Sequence, residues 1–281
     1  MKRARLIIML TVVAASTLLC ACSLESTFGT SSGRASSQQS FEQELQDEGY
    51  AFTARSKTWA VLGDSLTDET YKPKKKYYDY VARDLGCAVV NYGRKGTGYM
   101  DPAQGGDSFC DRVDDLDVSD VDCLTVFGSF NDLGKGYALG TAYDDGEYSI
   151  GGCMNVTIEK LVAKNPSLKI GIVTPTPWRT NFSINSDGTD SFGTVTRWDC
   201  DAYVELLKDV AKRHRLPVLD LYATYGLDPD NEQVRELFYK HDGKVDENGV
   251  HPNSEGHKFM YPQWREFVKT LLASDAIEEG D

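Results

Sequence analysis

Five short apolar runs punctuate the chain, at 58–62, 88–92, 121–127, 169–174 and 217–221. Each is rich in Val, Ile, Leu or aromatic residues, and most are followed by Gly, Pro or Asp. Each therefore predicts a strand buried on both faces. Between the runs the spacing becomes helical. Tyr77, Val81 and Leu85 recur every fourth residue over 77–85. Val156, Leu161 and Val162 mark 155–164, and Tyr203, Leu206, Leu207 and Val210 line one side of 201–214. Segments 232–239 and 257–272 also read as helices. Buried strands alternating with helices predict an α/β fold, with a central five-stranded parallel sheet in a three-layer α/β/α domain. The connection over 175–198 is long and polar, and loops of that length tend to be functional.

Before residue 57 the pattern differs. Lys2, Arg3 and Arg5 precede an apolar run from Leu6 to Leu19. A mature spanning helix needs about 20 apolar residues, so 1–21 reads as an export signal. Leu19-Cys20-Ala21-Cys22 resembles a bacterial lipobox. That resemblance implies cleavage before Cys22, lipid on its sulfur, and attachment to the outer face of the bacterial cell membrane. Residues 22–56 are rich in Ser, Gln and Glu and read as a flexible tether. One domain is expected over 57–275, followed by an acidic tail at 276–281.

Composition narrows the function. The 281 residues carry a net charge of −13, which argues against nucleic acid as a partner. Lipid on Cys22 would supply the membrane attachment that this charge does not. With Cys20 and Cys22 set aside, five cysteines remain of seven. Cys87 and Cys123 fall in predicted strands and read as small buried hydrophobes. Cys153 and Cys200 each stand near the start of a predicted helix and are the candidate disulfide pair. No Cys-x-x-Cys or His-rich spacing points to a metal, and no cofactor is implied.

In open α/β sheets ligands bind beyond the carboxyl ends of the strands. Gly63-Asp64-Ser65-Leu66 follows the first run, Asn91-Tyr92-Gly93-Arg94-Lys95-Gly96 ends the second, and Gly128-Ser129-Phe130-Asn131-Asp132 follows the third. Asn248-Gly249-Val250-His251-Pro252-Asn253 precedes the last helix. Gly-Asp-Ser alone is also an ordinary turn. The four blocks in this order resemble the SGNH (GDSL) hydrolase family, and its bacterial esterase-like members most closely. The resemblance implies a flavodoxin-like arrangement and ester hydrolysis through an acyl-serine. It makes Ser65 the nucleophile and His251 its base. It makes Ser65, Gly96 and Asn131 the oxyanion donors, with Gly93 as the alternative glycine. Developing oxyanions need fixed N–H donors, and a serine hydroxyl needs a neighbouring imidazole to take its proton.

One position departs from the family. Asp usually stands three residues before this His, and here that residue is Asn248. Alignment puts Asn248 in the triad position. Asp246, Glu247 or a backbone carbonyl are the alternatives for orienting the imidazole. Family habit and the export signal together suggest a short acyl group, such as acetyl, on a carbohydrate or cell-surface polymer. Trp178, Phe182 and Trp198 are candidate sugar-stacking residues, with core packing as the competing role. A lysophospholipase or lipase, and a glycan-binding protein that has lost turnover, are the rival functions.

Overall fold

The computed structural model describes residues 57–100, 105–133, 137–179 and 197–273. The chain divides into two units, Met1–Ala51 and Phe52–Asp281, and every described residue belongs to the second. The signal, Cys22, the tether, Phe182 and the acidic tail lie outside the described residues.

The five expected strands form as β1 (Thr58–Gly63), β2 (Ala88–Gly93), β3 (Cys123–Phe127), β4 (Lys169–Val173) and β5 (Val218–Leu219). They make one parallel sheet in the order β2-β1-β3-β4-β5. The chain starts at β1, steps outward to β2, then crosses back to β3. The reversal lies between β1 and β3, where open α/β sheets bind ligands. The helices are α1 (Tyr77–Leu85), α2 (Phe109–Arg112), α3 (Ile150–Lys164), α4 (Arg197–Arg213), α5 (Leu221–Thr224), α6 (Glu232–Phe238) and α7 (Ser254–Ala273). A small antiparallel pair, β6 (Lys240–His241) and β7 (Lys244–Val245), stands apart from the main sheet.

The apolar runs are continuous because each strand feeds two cores. In β1, Ala60 and Leu62 join a cluster with Phe109, Met154 and Leu207 from α2, α3 and α4. Trp59 and Val61 face the other way, toward Tyr77 and Val81 of α1 and Trp264 and Val268 of α7. There the Tyr77 and Trp264 rings stack with centroids 4.1 Å apart. Thr125 of β3 is the polar member of that layer, and its Oγ1 accepts the Trp59 Nε1–H at 2.9 Å.

Several details differ from expectation. Helix α3 begins at Ile150, ahead of its apolar pattern, because the Ser149 side chain caps it by accepting from Gly152 N. Strand β5 is short because Asp220 caps α5, accepting from Ala223 N at 3.1 Å. The expected Cys153–Cys200 disulfide is not formed, and the five cysteines from Cys87 onward are buried. Cys153 is buried in the same core cluster as Cys110. Trp178 does not line a substrate surface. It is 6% exposed and meets Phe130 edge-on at 5.2 Å, so it belongs to the core. Trp198 is 75% exposed at the start of α4.

Trp59 and Thr125 are both 0% exposed, so Thr125→Val leaves a buried indole N–H without a partner. The expected loss in unfolding free energy is about 1–3 kcal/mol by urea titration. An unchanged midpoint would show that the bond contributes nothing.

Candidate active site

The turn after β1 is built around a buried carboxylate. Asp64 Oδ1 accepts from Leu66 N at 2.9 Å, and Oδ2 accepts from Ser129 Oγ at 2.6 Å. The Asp64 carbonyl accepts from Thr67 N and Asp68 N at 3.0 and 2.8 Å. These bonds wind the chain tightly and present Ser65 at the sheet edge. Burial pushes the Asp64 carboxyl above its ordinary value, against the hydrogen bonds that lower it.

Ser65 Oγ lies 3.0 Å from His251 Nε2. On the far side of the ring, His251 Nδ1 is 2.9 Å from Asp246 Oδ2. A carboxylate only accepts, so Nδ1 carries the proton and Nε2 is left to accept from the serine. Asp246 Oδ2 also accepts from His251 N at 2.9 Å, and Oδ1 accepts from Asn248 N at 3.1 Å. Burial would raise this carboxyl, but the His251 and Asn248 hydrogen bonds outweigh it and hold the group below its ordinary value.

The orienting group is therefore Asp246 and not Asn248. Asn248 serves through its backbone, donating to Asp246 and accepting from Arg179 N at 3.1 Å. The reason is local. Gly249 has φ +62°, and a turn at 246–249 closes with Gly249 N donating to Asp246 O at 3.0 Å. The turn lengthens the segment by two residues relative to the usual spacing and brings Asp246 back to the imidazole. Its Asn-Gly pair is the signal in the sequence that marks such a turn.

Opposite the serine stand the loops after β2 and β3. Gly93 N donates to Asn91 Oδ1 at 2.7 Å, so that N–H is engaged. A Cβ at Gly93 would come within 2.5 Å of the Asp68 backbone, so this glycine serves close packing. No hydrogen bond engages the N–H of Gly96 or of Ser65 among the described residues. Asn131 Nδ2 donates to Thr97 O at 3.0 Å and makes a long 3.4 Å contact with Asp64 Oδ2. Asp132 pins the loop after β2 by accepting from Tyr99 N at 3.0 Å and Met100 N at 2.9 Å. Tyr203 Oη also donates to Asp132, at 3.0 Å.

Three cations or imidazoles outside the family blocks hold this assembly. Lys76 is 0% exposed, and its Nζ donates to Ser65 O at 2.9 Å. Burial lowers its ammonium to about 8, although Asp64, Asp68 and Asp79 pull the other way. Arg112 donates to Gly63 O at 2.7 Å and Thr97 Oγ1 at 3.2 Å, joining the turn after β1 to the loop after β2. His241 Nε2 meets the His251 carbonyl at 2.7 Å and steadies the histidine loop. No apolar period or short motif distinguishes Lys76 within Lys72-Pro73-Lys74-Lys75-Lys76. His257 is 1% exposed and stacked on Tyr77 at 6.0 Å, and its Nδ1 accepts from Tyr77 N at 3.4 Å.

A cavity of about 550 Å³ adjoins the turn after β1 and the end of β2. Its wall includes Asp68, Glu69, Asn91, Arg94, Lys95 and Asp107. Lys95 Nζ stands 6.0 Å over the Tyr71 ring, and that ring is 4.9 Å from His251.

Residues 61–259 match the model of the GDSL-like Lipase/Acylhydrolase family. Among solved structures, the chain is similar to a protein from Lactobacillus plantarum at 21% identity and TM-score 0.63, covering 76% of this chain and 97% of that one. It is similar to a possible lipase from Chitinophaga pinensis at 20% identity and TM-score 0.58, covering 76% and 98%. It is also similar to a carbohydrate acetylesterase family member from Sinorhizobium meliloti at 19% identity and TM-score 0.53, covering 77% and 99%. No curated protein matches the sequence.

The depressed Lys76 value makes a prediction about pH. Between the folded value of about 8 and the ordinary 10.5, the unfolded chain binds more protons than the folded one. The Lys76 contribution to stability therefore rises with pH across that window, by about 3 kcal/mol in all. Thermal unfolding of the native protein and of Lys76→Met at pH 7.5 and 10 should show the native protein gaining on the variant. A difference that stays constant with pH would contradict it.

Proposed function

The chain belongs to the GDSL-like lipase/acylhydrolase family, and on that premise we propose that it is a serine esterase for short acyl groups, acetyl above all, on carbohydrate or a similar hydroxyl-rich polymer. The observation that carries the mechanism is the unbroken run from Ser65 Oγ to His251 Nε2 to Asp246, with steps of 3.0 and 2.9 Å.

Ser65 Oγ attacks the ester carbonyl while His251 Nε2 takes its proton. Asp246 stabilises the imidazolium that results and keeps the ring in the accepting tautomer. Negative charge builds on the former carbonyl oxygen. The N–H groups of Ser65 and Gly96 stabilise it, and Asn131 trades its long contact with Asp64 for the oxyanion. The intermediate collapses, His251 gives its proton to the leaving alcohol, and the acyl group stays on Ser65. Water, deprotonated by His251, then attacks the acyl carbonyl, and the same proton relay frees the serine.

The polar and charged wall of the adjoining cavity supports a hydroxylated alcohol half over a long apolar chain. The acetylesterase likeness agrees with this as fold similarity only. We read residues 1–21 as a lipoprotein signal and Cys22 as the lipid-bearing residue, which would anchor the enzyme to the outer face of the membrane. The lipobox-like Leu19-Cys20-Ala21-Cys22 supports that reading.

Profiling with p-nitrophenyl esters tests the substrate class. Turnover should be highest with acetate and fall with chain length, and acetylated polysaccharide should release acetate. A maximum at long acyl chains would overturn the short-acyl reading. Ser65→Ala should lose both turnover and labelling by a fluorophosphonate. Asn131→Ala should lower kcat by about 10²–10³ with labelling retained. Full turnover in Ser65→Ala would remove the serine from the mechanism.

A further inference from the structure

When the acyl-serine forms, the leaving alcohol oxygen takes its proton from His251 Nε2. At that moment it stands within hydrogen-bond reach of the imidazole, about 3 Å. The alcohol half of the ester therefore begins beside whatever flanks His251. Tyr71 is the one aromatic ring against that imidazole among the described residues, with centroids 4.9 Å apart and planes at 55°. It is partly buried and keeps surface within reach of solvent. From there the ring leads into the cavity of about 550 Å³, because its chain neighbour Thr70 and the overlying Lys95 both belong to the cavity wall. Lys95 Nζ stands 6.0 Å from the ring centroid, the outer limit of a cation–π contact. That ammonium makes no hydrogen bond or ion pair among the described residues, so it can lift off the ring without losing one. Buried Asp68 ties the two sides together. Its Oδ1 accepts from Thr70 N and Oγ1 at 2.8 and 2.7 Å, its Oδ2 accepts from Lys95 N at 2.9 Å, and its carbonyl accepts from Tyr71 N at 3.2 Å.

We propose that Tyr71 is the platform for the alcohol half of the substrate, and that this half is a neutral pyranose ring laid with its C–H face on the phenol ring. The assignment rests on the carbohydrate-ester reading above and names the residue that recognises the sugar. An aromatic face carries the negative part of the ring quadrupole, and the C–H bonds of a pyranose face present slightly positive hydrogens to it. The sugar hydroxyls, which both donate and accept, then meet exposed Glu69 as an acceptor and exposed Lys95 as a donor at the cavity wall. The wall carries Asp68, Glu69 and Asp107 beside Arg94 and Lys95, and Arg94 is paired with Asp107 at 2.9 Å. Charges of both signs so interspersed favour neither an acidic nor an amino sugar over a neutral one. Because Asp68 holds the backbones of Tyr71 and Lys95 in place, the platform stands ready before substrate binds.

The test compares two acetate esters on the full chain: acetylated methyl xyloside, which has a sugar ring, and ethyl acetate, which has none. Acetate release gives kcat/KM for each, and the ratio of the two cancels any loss that the variants share. Tyr71→Leu keeps apolar bulk against His251 without the flat ring. It should lower the xyloside-to-ethyl ratio about tenfold, with the change falling on KM for the xyloside. Tyr71→Phe keeps the ring and should hold the ratio within about threefold of the native one. An unchanged ratio in Tyr71→Leu, whatever the common loss, would reduce the ring to packing on the imidazole and overturn the proposal. A tenfold fall in Tyr71→Phe would overturn it in favour of the phenol hydroxyl. In both of those cases the carbohydrate-ester reading survives. Native protein that hydrolyses ethyl acetate and leaves the xyloside intact would overturn that reading and this assignment together.

Discussion

The hydrogen bond between Ser65 and His251 joins residues 186 positions apart, and the fold is arranged around making it possible. A parallel sheet puts every strand's carboxyl end on one edge. The turn after β1 and the loop after β3 therefore meet at the point where the strand order reverses. The histidine arrives from the other end of the chain, on the segment leading into α7, whose apolar stripe packs against α1. A shift of α7 along the sheet by one helical turn, about 5 Å, would break the contact. The stacked Tyr77 and Trp264 rings thus set the position of the imidazole as well as filling the core.

The site rests on buried charge. Asp64, Asp132, Lys76 and Arg112 are all buried, and each makes at least one hydrogen bond to backbone of the turn after β1 or the loop after β2. Such groups are costly to desolvate, and their gain is positional. They fix the turn after β1 against the loops after β2 and β3. The Lys76 ammonium shows the cost directly, since burial brings it down to about 8.

Much of this was legible in the sequence. Strands buried on both faces read as continuous apolar runs, so the sheet was visible, and α1 was found with its ends because its apolar residues repeat every four positions. Block order singled out Ser65, His251, Gly96 and Asn131; Ser65 and His251 meet at 3.0 Å, and Gly96 and Asn131 follow β2 and β3. The misses have physical causes. Spacing alone pointed to Asn248, but a positive-φ turn at Gly249 hands the imidazole to Asp246. Lys76 sits in a lysine-rich run that reads as solvated charge, and only packing reveals which lysine turns inward. Trp178 carries no mark that separates a core aromatic from a sugar platform.

The central claim is that Asp246 completes the relay. Steady-state kinetics of Asp246→Asn and Asn248→Ala with p-nitrophenyl acetate, on variants shown to be folded by circular dichroism, tests it most directly. The account predicts that Asp246→Asn loses about 10³–10⁴ in kcat while Asn248→Ala stays within a few-fold of the native enzyme. Near-native turnover in Asp246→Asn, with the large loss falling on Asn248→Ala, would contradict it.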